Sequence, residues 1–188
     1  MLTADIREQL CHNPLTQLAS VPTAHYISSP LGLVPKHDGE WRRVHDLSYP
    51  KNSRVNDHIP HTFGALEYVT FDDAVDALLA AGHRALMVKR DLAEAFRHIP
   101  VALSDRWLLG FFWEGLYYQE KFLPFGIRTA PFLSDLFAIA LNGILIVVFS
   151  WTTLLHYLDD FLTILPAAAD ISFTKINSMS YVRSLGLW

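Results

Sequence analysis

Apolar and polar positions change period several times along this chain of 188 residues. Asp5 to Leu10 fits a short helix. Leu31 to Pro35 is a short apolar run, Trp41 to Leu47 mixes apolar with charged residues, and His37-Asp38-Gly39 lies between them. That pattern predicts a β-hairpin with one exposed face. Ser48 to Pro60 is polar and bounded by Pro50 and Pro60, which predicts a loop. Phe71 to Ala81 has helical spacing, with Thr70 placed to cap it, Asp72 and Asp73 suited to the positive N-terminus, and Gly82 to stop it. Ala85 to Val88 is a β-type run that leads into Lys89-Arg90-Asp91.

Trp107 to Trp113 and Leu116 to Phe122 flank Glu114-Gly115, which predicts a second hairpin. Leu123-Pro124-Phe125-Gly126 reads as a turn, and from Ala130 to Ser150 the pattern is helical, with Pro131 tolerated in the first turn. Thr152 to His156 and Phe161 to Leu165 are short β-type runs around Tyr157-Leu158-Asp159-Asp160, and Ala167 to Leu185 is a further helical stretch ending at Gly186. Strands and helices mix without regular βαβ alternation, so the expected class is α+β.

Composition narrows the picture. Hydrophobic residues make up 51% and charged residues 18%, enough to fill a core. Fifteen Lys and Arg stand against 19 Asp and Glu, a formal net charge of −4, so no whole-chain basic footprint for nucleic acid exists. The single cysteine, Cys11, excludes an internal disulfide and any CxxC metal site. Met1 to Leu10 carries Asp5, Arg7 and Glu8 and no apolar run, so no secretory signal is expected here. The most apolar stretch, Leu136 to Phe149, is 14 residues long. That is short of the roughly 18 a spanning helix needs, and the stretch is expected to be a buried core helix. The expectation is a soluble intracellular protein, in cytoplasm or nucleus, with no membrane partner.

Three acids stand out by context. Asp91 ends a β-type run, and Asp159 and Asp160 lie in the bend between two apolar strands. Adjacent like charges repel, and apolar flanks do not dilute them in solvent. A divalent cation offsets that repulsion, and Mg²⁺ prefers hard oxygen ligands. If Asp91 lies on the strand beside the hairpin, the carboxylates meet at one sheet end, a two-metal arrangement for in-line phosphoryl transfer. An isolated Asp-Asp pair is more often a solvated turn; Tyr-Leu-Asp-Asp between two β-type runs is more specific.

The order of motifs resembles reverse transcriptases. Asp91-Leu92-Ala93-Glu94-Ala95-Phe96 followed by Arg97-His98-Ile99-Pro100 looks like the family's first catalytic motif. Leu123-Pro124-Phe125-Gly126-Ile127-Arg128-Thr129-Ala130-Pro131 looks like its substrate-binding motif, and Tyr157-Leu158-Asp159-Asp160 like its aromatic-x-Asp-Asp box. Trp41-Arg42-Arg43-Val44-His45-Asp46-Leu47 resembles the fingers segment that touches nucleotide and template. Ser29 to Lys36, Leu47-Ser48-Tyr49-Pro50 and Val55-Asn56-Asp57 look most like retrotransposon enzymes of the DIRS type, with gypsy-type elements next.

The resemblance implies the fingers and palm of a right-hand polymerase, with an antiparallel palm sheet backed by helices. Residues 1–64 and 101–128 would be fingers, and 65–100 and 129–188 an incomplete palm; the thumb would be absent. Asp91, Asp159 and Asp160 would bind two Mg²⁺ or Mn²⁺ ions, with the Leu92 carbonyl as a further ligand. Phe96 would be the steric gate that leaves no room for a 2′-hydroxyl. Arg42, joined by Lys36, would pair with the triphosphate, as a guanidinium fork suits phosphate oxygens. Asp46 would sit near the templating base, and Phe125-Gly126 beside the nucleotide, with Gly126 allowing close backbone approach. Lys36, Arg42, Arg43, Lys51 and Arg54 fall in the segment expected to face phosphates. Partners would be an RNA or DNA template with primer, and deoxynucleoside triphosphates.

Other chemistry is poorly supported. His58 and His61 straddle Pro60 with no cysteine near, against a zinc site. No Gly-x-Ser-x-Gly elbow and no Gly-x-x-x-x-Gly-Lys-Ser/Thr loop occurs. Two readings of different class follow: an RNA-directed DNA polymerase, or a non-catalytic remnant of a mobile element that binds or is inert. An RNA-directed RNA polymerase is opposed by Phe96.

Overall fold

The computed structural model describes residues 1–12, 14–22, 25–37, 39–50, 54–149 and 153–167. The chain packs as two compact units, Met1–Ala65 with Phe96–Pro131, and Leu66–Ala95 with Phe132–Trp188. The class is α+β, with antiparallel pairing in every sheet.

In the first unit, helix α1 (Leu2–Cys11) is followed by β1 (Leu15–Gln17) and a hairpin of β2 (Leu31–Pro35) with β3 (Trp41–His45). A second hairpin, β5 (Gly110–Trp113) with β6 (Leu116–Glu120), turns at Glu114-Gly115, where both residues have positive φ of 48° and 82°. That conformation matches the twist of the flanking strands and suits glycine at the second position. β1 joins the far side of β6 to give a sheet ordered β1-β6-β5. Ile6, Leu15, Phe111 and Tyr118 form one core cluster, and Leu47, Val55 and Leu109 another.

Local differences from the expectations have local causes. Trp107 belongs to a 3-10 turn over Leu103–Leu109, so the strand begins only at Gly110. The polar 48–60 stretch contains a 3-10 turn at Val55–His58, whose buried Val55 and Asn56 tie it to the body.

In the second unit, α2 (Phe71–Ala81) has the boundaries its local signals predict. Thr70 and Asp73 form a reciprocal capping box, and Gly82 takes φ 85° at the C-terminus. β4 (Leu86–Asp91), β7 (Leu154–Tyr157) and β8 (Asp160–Leu165) form a sheet ordered β4-β8-β7.

Helix α3 (Ala130–Phe149) corrects one expectation. The 14-residue count began at Leu136, but the helix starts six residues earlier, at Ala130. Ala130–Val148, 19 residues of mean hydropathy 2.0, is long and apolar enough by length and composition to cross a membrane. Nor is the helix a buried core element, for only 28% of that apolar window is buried. Ser134, Ala138, Leu141 and Leu145 recur at helical spacing as its buried stripe, while Leu136, Ile139 and Val147 are exposed. Two polar side chains fasten α3 to β7: Asp135 lies 3.3 Å from His156 Nε2, and Asn142 Nδ2 lies 3.2 Å from the Leu154 carbonyl. The helix expected over 167–185 lies, beyond residue 167, outside the described residues.

Candidate active site

The carboxylates are assembled by strand register in the second unit. Asp91 is the last residue of β4 and pairs directly with Asp160, the first of β8. Tyr157 pairs with the same Asp160, so Leu158-Asp159 is the two-residue turn between β7 and β8. Leu158 enters that turn with φ 54°, a left-handed conformation that a bulky residue takes up only at a cost. The Leu92 amide then donates to the Asp159 carbonyl at 2.8 Å, fixing the end of β4 against the turn.

Directly paired residues share a sheet face, and side chains alternate with period two. Asp91, Lys89 and Asp160 therefore stand on one face; Arg90 stands on the other, where it donates to Thr163 at 3.0 Å. Lys89 Nζ pairs with Asp160 at 2.9 Å, and that contact, aided by Asp91 and Asp159, holds its ammonium above the usual lysine range. Partial burial, then the charges of Asp159 and Asp160, push the Asp91 carboxyl above the usual carboxylate range, against the pull of Lys89. Among the described residues, no three His, Cys, Asp or Glu side chains form a ready-made metal cage. The backbone brings the acids to one sheet end; their repulsion and the pull of Lys89 on Asp160 oppose closer approach of the carboxylates.

Arg42, Phe96 and Phe125 meet in the first unit. The Arg42 guanidinium lies over the Phe125 ring, 4.4 Å from its centroid, and the Phe96 and Phe125 rings are 4.8 Å apart at 50°. Such geometry combines cation–π attraction with aromatic packing. Phe125 is anchored through its carbonyl, which accepts from the His45 amide at 2.7 Å. Gly126, at φ 113°, has no room for a side chain because a Cβ would collide with the His45 carbonyl. The close approach glycine permits here is to the protein's own β3. Asn56 completes the clamp: its side-chain amide donates to Ser48 Oγ at 2.9 Å and to the Gly126 carbonyl at 2.8 Å. Its Oδ1 accepts from the Arg128 amide at 2.8 Å.

Lys36 and Asp46 stand apart from this stack. Lys36 sits at the tip of the β2–β3 hairpin and pairs with Glu40 at 2.8 Å. Asp46 is exposed and accepts from the Ser48 amide at 3.1 Å. The expectation that Arg43 faces phosphates is wrong. Alternation on β3 turns it inward, where its side chain is 4% exposed and bound to Asp5 and Glu120. Arg54 pairs with Asp57 at 2.9 Å, and Lys51 lies outside the described residues.

Comparison with known families gives one match, over residues 34–181, to the family described as reverse transcriptase (RNA-dependent DNA polymerase). The chain belongs to the reverse transcriptase family. Solved structures agree in fold. A foamy viral protease-reverse transcriptase in complex with dsDNA superposes with a TM-score of 0.71 at 23% identity, over 99% of this chain and 34% of that one. The native prototype foamy virus protease-reverse transcriptase gives 0.63 at 24% identity, over 97% and 21%. This reverse transcriptase chain thus spans about a third of the length of one of those proteins and about a fifth of the other.

Within this reverse transcriptase fold, sequence reasoning missed four residues that shape the two constellations. Lys89 stands two residues before Asp91, and period-two alternation alone would have put it on the acid face. Asn56 was visible only as part of a motif. His45 was visible only as part of the fingers motif, and Glu120 carried no local signal, because its partners are distant in sequence.

Proposed function

We propose that the chain is the fingers and palm of an RNA-directed DNA polymerase, adding deoxynucleotides to a primer 3′-hydroxyl under the direction of an RNA or DNA template. Residues 1–64 and 101–128 are fingers and residues 65–100 and 129–188 palm in this reading. The parent is a retrotransposon of DIRS or gypsy type, acting inside the cell. One observation carries the reading: the register that sets Asp91 opposite Asp160 while Leu92 binds the Asp159 backbone.

The donor set fits divalent cations by its chemistry. Three carboxylates supply hard oxygens, partial burial and then the charges of Asp159 and Asp160 raise the Asp91 pKa, and one lysine is the nearby counter-charge. Asp91, Asp159, Asp160 and the Leu92 carbonyl would hold two Mg²⁺ or Mn²⁺ ions. Bound there, such ions stabilise charge developing on the attacking oxygen and the leaving pyrophosphate. Arg42, exposed at its end of the stack, offers its guanidinium fork to triphosphate oxygens. The Phe96 ring, backed by Phe125, excludes a 2′-hydroxyl. Lys36 joins Arg42 by leaving Glu40, Asp46 lies by the templating base, and Gly126 keeps the turn pressed on β3.

Calorimetry tests the metal. The wild-type chain is expected to bind Mg²⁺ or Mn²⁺, and Asp91→Asn/Asp159→Asn to give no heat. Equal heats from both would sink the assignment. The absence of a ready-made three-ligand cage among the described residues is what favours the second reading, a non-catalytic remnant; a wild type without metal heats would select it.

A further inference from the structure

The charge cluster beneath the Arg42–Phe125–Phe96 stack has no role in the reading above. Glu120, the last residue of β6, is fully buried. Each of its carboxylate oxygens takes a different arginine: Oε1 lies 2.8 Å from Arg43 Nη1 and Oε2 lies 2.7 Å from Arg97 Nη1. Arg43 also reaches Asp5 at 2.7 Å and Gln9 at 3.2 Å. The two arginines are the chain neighbours of the two outer members of the stack. Arg43 follows Arg42 on β3, and Arg97 follows Phe96 in the 3-10 turn over Ala95–His98.

We propose that Glu120 is a positioning residue for nucleotide selection: by holding Arg43 and Arg97 on one carboxylate, it fixes the spacing of Arg42 and Phe96 about Phe125. Adjacent Cα atoms are held 3.8 Å apart, so a guanidinium anchored at position 43 or 97 constrains the backbone of its neighbour. Arg42 and Arg43 project to opposite faces of β3, so anchoring one inward presents the other outward. Phe125 is bound to the strand that carries Arg42, through the His45 amide, so the Arg43 anchor holds that strand and the Arg97 anchor sets Phe96 against it. Guanidinium–carboxylate pairs are directional as well as strong, and this carboxylate is shared between two of them. The pair energies serve geometry: a lone gate ring on a 3-10 turn has little else to define its distance from the triphosphate-binding arginine.

The proposal rests on the polymerase reading for its functional consequence but not for its structural one, and the experiment separates them. Glu120→Gln keeps the volume and removes the charge. In the folded variant, ring-to-ring nuclear Overhauser effects between Phe96 and Phe125 are expected to weaken or vanish. With an RNA template and a dideoxy-terminated DNA primer, the preference for dGTP over GTP, measured as relative affinity, is expected to fall by about tenfold or more. Ile6→Ala, a core truncation in the same unit, is expected to leave both readouts unchanged. Should Glu120→Gln fail to fold, Glu120→Asp keeps the charge, shortens the reach and is expected to shift both readouts the same way. Retained ring contacts and an unchanged preference in the folded Glu120 variant would overturn the proposal. So would an Ile6→Ala variant that moves both as far. If the wild type takes up neither nucleotide, the polymerase reading falls, and the ring contacts still decide whether Glu120 sets the stack.

Discussion

Glu120 in the first unit and Asp91 in the second are both carboxylates at the end of a strand, and their protonation is displaced in opposite directions. Glu120 is the more deeply buried, and burial alone would push its carboxyl up. Arg43 and Arg97 override that and hold it below the usual carboxylate range. Asp91 is exposed, yet partial burial together with Asp159 and Asp160 raises it. At Glu120 the arginines reverse the direction that burial alone would give, whereas at Asp91 burial and the neighbouring acids push the same way. In the first cluster Asp5, Glu120, Arg43 and Arg97 balance. In the second, three acids face one lysine, and two negative charges remain uncompensated. A balanced buried cluster can hold a shape without help, whereas an unbalanced exposed one is suited to taking up cations.

The largest test of that contrast is stability. Glu120→Gln removes the carboxylate that Arg97 binds and leaves Arg43 with Asp5 alone, and breaking such a buried pair costs about 3–5 kcal/mol. Asp91→Asn removes a repulsion from an exposed position, so it is expected to cost nothing at pH 7. Urea unfolding of the two variants measures the difference. Equal losses would mean that the acids of the second unit are as structural as Glu120.

The same contrast explains what could be read in the sequence. The α2 helix was legible to the residue because Thr70, Asp73 and Gly82 lie within or beside it. The Glu114-Gly115 hairpin was legible because its turn needs only its own two residues. The placing of Asp91 beside the Asp-Asp turn followed from motif order, and the β4-β8-β7 sheet delivers it. The Arg43–Glu120 pair was not legible: the partners are 77 residues apart, and an arginine on a hairpin looks solvated unless its inward face is known. The exposed side of α3 was missed for a related reason. An all-round apolar helix does not reveal from its own sequence which stripe will be covered.

The second test uses pH. His45 is buried against Gly110, its Nε2 lying 3.0 Å from that carbonyl. Burial, with Arg43 and Arg97 adding to it and Glu120 opposing, pushes its pKa down to about 4. A folded-state pKa below the unfolded one means that the unfolded chain binds the proton first. His45 therefore contributes stability above about pH 6.5 that is lost as the pH falls toward the folded value, at most about 3 kcal/mol. Glu120 adds a further loss at lower pH, as the pH falls through its depressed pKa. Asp91 slopes the other way: its raised pKa means that acidification relieves repulsion and steadies the second unit. Unfolding midpoints across pH 4.5 to 7 are expected to fall on acidification in the wild type and to flatten in His45→Gln. An equally steep wild-type and variant profile would remove His45 as the source.

The smallest effect is at Lys89. Its ammonium is exposed and its pair with Asp160 is open to solvent, so Lys89→Met is expected to leave stability almost untouched. The consequence falls on Asp91. Lys89 is the one charge acting to lower the Asp91 pKa against Asp159 and Asp160, and removing it leaves burial and repulsion unopposed. The Asp91 carboxyl is then expected to titrate at a still higher pH than in the wild type, read from its carboxyl carbon signal by NMR. An unmoved midpoint would mean that Lys89 does not act on Asp91. A raised midpoint would show that Asp91 feels a positive charge at this sheet end, the property that a cation there would exploit.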